Sequence, residues 1–81
     1  MNTLAIELHP QAHNIKCTEA NLIVELLDGR TISAPLVWFP RLVQATQEQL
    51  DNWELLGDGE GIHWPEIDED LSIAGLLSGI H

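Results

Sequence analysis

A proline-bracketed apolar segment at residues 35–42, Pro-Leu-Val-Trp-Phe-Pro-Arg-Leu, constrains the fold more than any other part of the sequence. Pro35 cannot donate a hydrogen bond to a neighbouring strand, so an arriving strand must end there or run along a sheet edge. Pro40 favours extended geometry at Phe39 and is well tolerated in the first turn of a helix. The segment therefore predicts a corner where a β-hairpin passes into a helix, with Trp38 and Phe39 supplying apolar area.

The residues before this corner have the pattern of a three-stranded antiparallel meander. Residues 15–19 alternate between apolar and polar side chains, as in a half-buried strand, and residues 22–27 are a strongly apolar second strand. Asp28 and Gly29 then predict a hairpin turn, because glycine adopts positive φ angles without steric cost. Residues 30–34 are the return strand.

An earlier apolar stretch, residues 3–8, is interpreted as a further strand or as an arm that lies on a neighbouring molecule. The proline and polar residues at 9–14 are expected to separate it from the meander. We therefore expect one domain over residues 1–81, with a strand or arm at 1–14 and the main body at 15–81.

After the corner, the sequence predicts short helices and little additional sheet. Residues 41–45 are expected to form a short helix, and Thr46 with Gln49 has the spacing of a capping box that opens a second one. The glycine-rich residues 55–64 predict a hairpin or glycine loop leading to a short strand, which Pro65 ends.

A final helix is predicted over residues 71–77, capped by Asp70 or Ser72 and ended by Gly79. The acidic run at 68–70 is expected to favour the N-terminus of this helix. The predicted fold class is α+β: a small antiparallel sheet, made of a three-stranded meander plus one or two short strands, with two or three short helices.

The charge balance limits the partners that the chain can bind. Thirteen acidic residues against Lys16, Arg30 and Arg41 give a net charge of −10, which disfavours direct nucleic-acid binding and favours a basic protein partner. No apolar run approaches the roughly 20 residues of a membrane span, and no signal peptide is apparent. A single cysteine, Cys17, excludes an internal disulfide, so we expect a cytoplasmic protein.

The candidate chemical groups do not form a recognisable catalytic or metal motif. The three glycines at 57, 59 and 61 resemble a phosphate loop poorly, because acidic residues stand between them and the Gly-Lys-Ser/Thr ending is absent. His63 with Asp68 or Glu69 could support acid–base or ligand-binding chemistry. Cys17 fits a small core residue better than a nucleophile. We predict no catalytic residues, no metal ligands and no cofactor.

Several motifs taken together are similar to one prokaryotic family, domain of unknown function 2442. They are LDGRTI at 27–32, PL at 35–36, WFPRL at 38–42, NWE at 52–54, GDGEGIHWP at 57–65 and DEDLS at 68–72. The resemblance runs from about residue 15 to residue 79 and implies a small α+β domain with an antiparallel sheet and short helices. Some relatives carry the domain ahead of a helix-turn-helix DNA-binding domain, an activity that is not carried over here. Relatives also resemble partners of another small protein in a toxin–antitoxin arrangement.

Three functional hypotheses follow. The first is a non-catalytic interaction module, the acidic antitoxin-like partner of a small basic protein. The second is a small ligand-binding protein or enzyme that uses His63 with nearby carboxylates, and the third is a homodimeric structural module. For the first, an aromatic cluster with a polar rim is expected to bind the partner, and the residues assigned to it are Trp38, Phe39, Arg41, Trp64, Asp68, Glu69 and Asp70.

Overall fold

The fold is α+β, as predicted, and consists of two small antiparallel sheets joined and flanked by short helices. The computed structural model describes residues 10–79, so the expected strand or arm at residues 3–8 lies outside the described part of the chain. The strands are β1 (Ala12–Cys17), β2 (Asn21–Leu26), β3 (Thr31–Pro35), β4 (Glu54–Leu56), β5 (Gly61–Trp64) and β6 (Glu69–Ser72). The helices are α1 (Pro40–Val43), α2 (Gln47–Asp51) and α3 (Ile73–Ser78), and a 3₁₀ turn at Leu36–Trp38 precedes α1.

The first sheet is the predicted meander, in the order β1-β2-β3. Its hairpin turn contains Gly29 at φ 97°, and the backbone N–H of Arg30 donates to the Asp28 carboxylate at 2.9 Å. The Arg30 guanidinium also bonds that carboxylate at 2.7 Å and lowers the pKa of Asp28. The Asp-Gly signal therefore identified the turn correctly.

The first strand begins earlier than the sequence pattern predicted. Ala12 is paired with Leu26 and buried, so the expected break at residues 9–14 is wrong from residue 12 onward. A β-bulge between Ala12 and Asn14 inserts one residue, so that Ala12 and Ile15 both face the core. This bulge interrupts the period-two alternation ahead of residue 15, so the pattern did not reveal the first residues of the strand.

The predicted corner is present. Pro35 is the last residue of β3, and the chain continues through the 3₁₀ turn, whose Leu36 N–H donates to the carbonyl of Ala20 at 2.9 Å. Phe39 has a φ of −125° and a ψ of 90°, outside the helical region, and Pro40 is the first residue of α1. The two prolines therefore act as the sequence indicated, one ending the strand and the other starting the helix.

The helix after the corner also follows the sequence signal. The Thr46 hydroxyl accepts from the backbone N–H of Gln49 at 3.1 Å, and the Gln49 side chain accepts from the N–H of Thr46 at 3.0 Å. This reciprocal pair is a complete capping box at the start of α2.

The second sheet, in the order β4-β5-β6, is separate from the first and larger than the one or two extra strands predicted. Acidic residues 68–70 lie in the turn before β6 and in the strand itself, where they had been predicted to precede a helix. Helix α3 begins only at Ile73 and is capped by Ser72, whose hydroxyl accepts from the N–H of Gly75 at 2.8 Å. Of the two predicted caps, Asp70 is therefore wrong and Ser72 is confirmed. Gly79 ends the helix at φ 84°, as predicted.

Both sheets bury one face in a common core. In the first sheet the buried side chains of β1, β2 and β3 align across the strands, with Ile15 opposite Val24, and in the second Ile62 and Trp64 are fully buried. The Trp64 indole N–H donates to the carbonyl of Leu50 in α2 at 3.0 Å, which ties the second sheet to that helix. The opposite face of the second sheet is therefore left towards solvent.

Candidate functional site

The solvent-facing side of the second sheet carries a row of three ionisable side chains. Strand register places His63 of β5 opposite Glu54 of β4 and opposite Asp70 of β6. The alternation of β5 turns Ile62 and Trp64 inward, so His63 projects from the other face. The fold therefore brings together a histidine and two carboxylates that lie on three successive strands.

The imidazole of His63 is hydrogen-bonded through Nδ1 to the Asp70 carboxylate. This bond is the main reason that the pKa of His63 is raised, and the negative charges of Asp70, Glu54 and Asp68 act in the same direction. The imidazole is 24 % exposed. The arrangement therefore stabilises a protonated imidazolium on an open sheet surface.

A depression lies beside these three ionisable side chains. It is formed over the neighbouring set of cross-strand pairs, in which Gly61 is the residue of β5. Leu56 and Ser72 are paired with Gly61, the strand residue without a side chain. The depression has a volume of about 400 Å³ and is lined by Leu56, Gly57, Glu60, Gly61, Asp70, Leu71 and Ser72. Asp70 thus belongs both to the histidine pair and to the wall of the depression.

A second exposed feature is the corner patch, which we define as Val37, Trp38 and Val43. These apolar side chains are 74 %, 39 % and 48 % exposed, and they lie on the 3₁₀ turn and on α1, which are in contact. Trp38 packs edge-on against the ring of Phe39, with centroids 6.4 Å apart. The corner patch therefore presents the partly exposed Trp38 ring, which packs against the buried ring of Phe39.

Arg41 connects this corner to the second sheet. Its guanidinium donates to the backbone carbonyl of Asp68 at 3.0 Å and reaches that of Ile67 at 3.4 Å. Asp68 has a φ of 53°, an uncommon conformation for a residue with a side chain. Arg41 and Asp68, which were predicted to belong to the same partner-binding surface, are thus in direct contact, and the contact stabilises the turn between β5 and β6.

The remaining predicted partner-binding residues are divided between surface and core. Asp70 is exposed beside His63, whereas Phe39 and Trp64 are only 3 % and 0 % exposed. A partner cannot contact those two rings while the chain is folded, because they fill the common core. Glu69 lies opposite Trp64 on the inward-facing register of β6, so the carboxylate beside His63 is that of Asp70 and not that of Glu69.

Glu54, Leu56 and Gly61 were not predicted as site residues. Gly61 has a signal in the sequence, because Gly61 and His63 are two residues apart and must share a face of a strand. The residues of β4 and β6 that pair with Gly61 and His63 could not be predicted in this way, because local residue spacing does not determine which residues of neighbouring strands are paired.

The glycine turn at residues 57–60 has a structural role. The carbonyl of Gly59 accepts from the N–H of Ala12 at 2.7 Å, and the Gln11 side chain donates to the carbonyl of Asp58 at 2.9 Å. Gly59 has a φ of +92°, and a Cβ there would collide with the Ala12 backbone. The turn thus docks the second sheet against β1, which agrees with the prediction of a tight turn.

Cys17 is buried, and desolvation, followed by the charge of Asp51, raises the pKa of its thiol to about 11. A thiol with this pKa is a poor nucleophile at neutral pH. Among residues 10–79, no three His, Cys, Asp or Glu side chains are arranged to hold a metal ion. No helix within the same range is long and apolar enough to cross a membrane.

A family model described as "Protein of unknown function (DUF2442)" matches residues 12–81. The chain belongs to this family. The DUF2442 resemblance inferred from the motifs is therefore confirmed, and the match includes the early part of β1. No curated protein matches the chain.

A solved structure of the same fold supports the DUF2442 architecture. It is a crystal structure of a protein of unknown function from Rhodospirillum rubrum, 38 % identical over 88 % of each chain, with a TM-score of 0.77. Neither comparison assigns an activity to the surfaces described above.

Proposed function

We propose that this DUF2442 chain is a non-catalytic interaction module that binds a small basic protein, in the manner of an antitoxin that neutralises its partner. The observation that carries this proposal is an exposed apolar corner on a strongly acidic molecule. The two features supply the two parts of a typical interface, an aromatic anchor and a charged surround.

The charge supports a basic partner in particular. With a net charge of −10, most carboxylates cannot be neutralised within the chain. Two of the three cations are already engaged: Arg30 with Asp28, and Arg41 with backbone carbonyls. In the described part of the chain no charged side chain is buried, so this negative potential is at the surface. Such a potential accelerates encounter with a basic protein and repels nucleic acid.

The corner patch supports an anchored interface. Trp38 is 39 % exposed although tryptophan is usually well buried, and Val37 and Val43 extend the apolar surface on either side of Pro40 along the chain. Tryptophan and arginine are enriched among residues that dominate binding energy, and Arg41 adjoins the patch in sequence. We therefore place the centre of the interface at Trp38.

Native mass spectrometry of the tagged full chain, isolated gently from its host at low salt, tests the proposal. We expect a stoichiometric complex with a small basic protein, weakened by Trp38→Ala and by raised salt. Leu27→Ala is the matched control, because Leu27 is 62 % exposed but lies at the hairpin turn, beyond the other end of β3. A complex that is indifferent to both salt and Trp38→Ala contradicts this function.

The contact between His63 and Asp70 favours a second candidate, a ligand-binding or acid–base site. A histidine hydrogen-bonded to a carboxylate is a common arrangement for proton transfer. His63→Ala, made beside His13→Ala as a surface control, separates the two proposals. Loss of an activity or ligand only in His63→Ala supports this candidate, whereas full retention of partner binding in that variant supports the interaction module.

A further inference from the structure

We infer that the depression over Gly61 is a subsite for one lysine or arginine side chain of the basic partner. This inference rests on the proposed function and specifies where and how the partner's charge is recognised. It adds a second contact surface, on the second sheet, to the corner patch.

The floor of the depression suits the aliphatic part of such a side chain. Gly61 has no side chain, and a Cβ placed there would lie 3.4 Å from Cβ and Cδ1 of Leu56 and 3.4 Å from the carbonyl oxygen of Leu71. The space above Gly61 is therefore bordered by an aliphatic wall and by a backbone acceptor. Lysine and arginine bury their methylene stems along such surfaces while the charged group stays at the rim.

The rim supplies the matching charge. Glu60 and Asp70 both line the depression, and no basic residue does. Glu54 adds a third carboxylate to the same sheet face through its pairing with His63. These negative charges attract a cationic anchor and repel an anionic one.

His63 makes this subsite dependent on pH. The His63 imidazolium and the incoming cation both interact with the Asp70 carboxylate. The two positive charges repel each other there, so protonation of His63 weakens binding of the cation, and the bound cation weakens protonation of His63. The charged groups facing His63 are Asp70 on β6, Glu54 on β4 and Asp68 in the preceding turn. Binding of the cation should therefore strengthen as His63 loses its proton, and the bound cation should lower the pKa of His63.

The first test uses NMR titration of the ¹⁵N-labelled full chain with N-acetyl-lysine N-methylamide. We expect saturable shifts at the amides of Gly61, Asp70 and Ser72, and, within the titration range of His63, an upfield displacement of its ring-proton signals, because a lowered pKa reduces the imidazolium fraction. The norleucine analogue has the same stem without the charge and is expected to cause no such shifts. Equal shifts with both compounds, or shifts spread over all exposed carboxylates, overturn the inference.

Variants then test the floor and the rim separately. Gly61→Ala adds one methyl group to the floor at ordinary contact distance, and Asp70→Asn removes the shared charge at constant size. Each should weaken lysine-analogue binding about threefold to fivefold. Glu48→Gln on α2 removes an equal charge elsewhere and should change it less than about twofold. Thermal unfolding of each variant confirms that the fold is retained, and a folded Asp70→Asn variant with unchanged binding contradicts the inference.

Failure of this inference can be distinguished from failure of the proposed function. If the basic partner binds and Trp38→Ala weakens the complex while Gly61→Ala and Asp70→Asn do not, the subsite is wrong and the interaction module stands. If the lysine analogue binds at Gly61 but no basic protein associates with the chain, the interaction module is wrong, and the role assigned to the subsite in that complex is wrong with it.

Discussion

Two tryptophans of this chain show how the same side chain takes opposite roles. Trp64 is fully buried and its indole N–H donates to the Leu50 carbonyl, whereas Trp38 is 39 % exposed above the ring of Phe39. The first therefore stabilises the core, whereas the second is partly exposed to solvent. The local sequence does not distinguish the buried tryptophan from the exposed one, since each lies in a short apolar segment that a proline follows.

Trp64→Phe should reduce the free energy of unfolding by about 1–3 kcal/mol, because it removes the bond to Leu50 and leaves a small void. Urea denaturation measures this change. Trp38→Phe is the control, and we expect an effect below about 1 kcal/mol because that ring is partly solvated. Equal effects in the two variants would show that the indole bond contributes little.

Gly59 is the residue whose replacement should be least tolerated in the glycine turn. Gly59 has a φ of +92°, and Gly59→Ala places a Cβ in collision with the Ala12 backbone. One of the two backbone segments would have to move to relieve this collision. Gly57 has a φ of +60° with no atom near its missing Cβ, so Gly57→Ala meets backbone strain alone. We expect Gly59→Ala to cost at least about 2 kcal/mol more than Gly57→Ala by thermal or urea unfolding. Similar costs would mean that the turn moves freely away from β1.

The second sheet is the element that builds the candidate site, and its two faces have different tasks. The inward face contributes Leu55, Ile62 and Leu71 to the core region, while the outward face carries His63 with its carboxylates and the depression at Gly61. Because β5 is the central strand, the outward residues are supported on both sides. The site is therefore on paired strands and not on a loop.

The pH dependence of His63 follows from its bond to Asp70. Since the pKa of His63 is raised in the folded chain, the stabilising contribution is complete below the ordinary pKa of about 6.5. It is lost as the pH rises through the raised pKa of the folded state. NMR titration of the His63 ring should show this raised pKa in the native chain.

Asp70→Asn should return the pKa of His63 towards its ordinary value, because the first cause of the shift is removed. Glu69→Gln is the matched control, since it removes the same charge one residue away on the other register of β6. An unchanged titration in Asp70→Asn would show that the pair does not form in solution.

On the scale of the whole molecule, the dominant quantity is the net charge of −10. Carboxylates on helices and both sheets repel one another at low ionic strength, and salt screens this repulsion as the Debye length falls from about 30 Å at 0.01 M to about 8 Å at 0.15 M. The negative charge that underlies the proposed attraction of a basic partner therefore also destabilises the isolated chain.

We expect the melting temperature to rise between 10 and 150 mM sodium chloride, by on the order of a few degrees. Differential scanning calorimetry provides the measurement. Glu19→Gln, which reduces the net negative charge by one at an exposed position between β1 and β2, should raise the melting temperature more at the lower salt than at the higher. A melting temperature that is independent of salt would show that repulsion is not a significant term.

The sequence by itself determined the local turns and boundaries of this protein. The Asp28–Gly29 hairpin, the capping box at Thr46 and Gln49, and the corner between two prolines each depend on backbone preferences that act within a few residues. The α+β class and the family membership follow from the same local signals taken together. Such preferences do not require knowledge of what lies across the core.

The tertiary structure alone decided where distant segments meet. The bulge at β1 lies where Ala12 contacts Gly59, and β6, paired with β5, occupies the start of the predicted helix. His63 meets Asp70, and not Glu69, through cross-strand register, and burial separates Trp64 from Trp38. Each depends on strand pairing or burial in the folded chain, which local residue spacing does not determine.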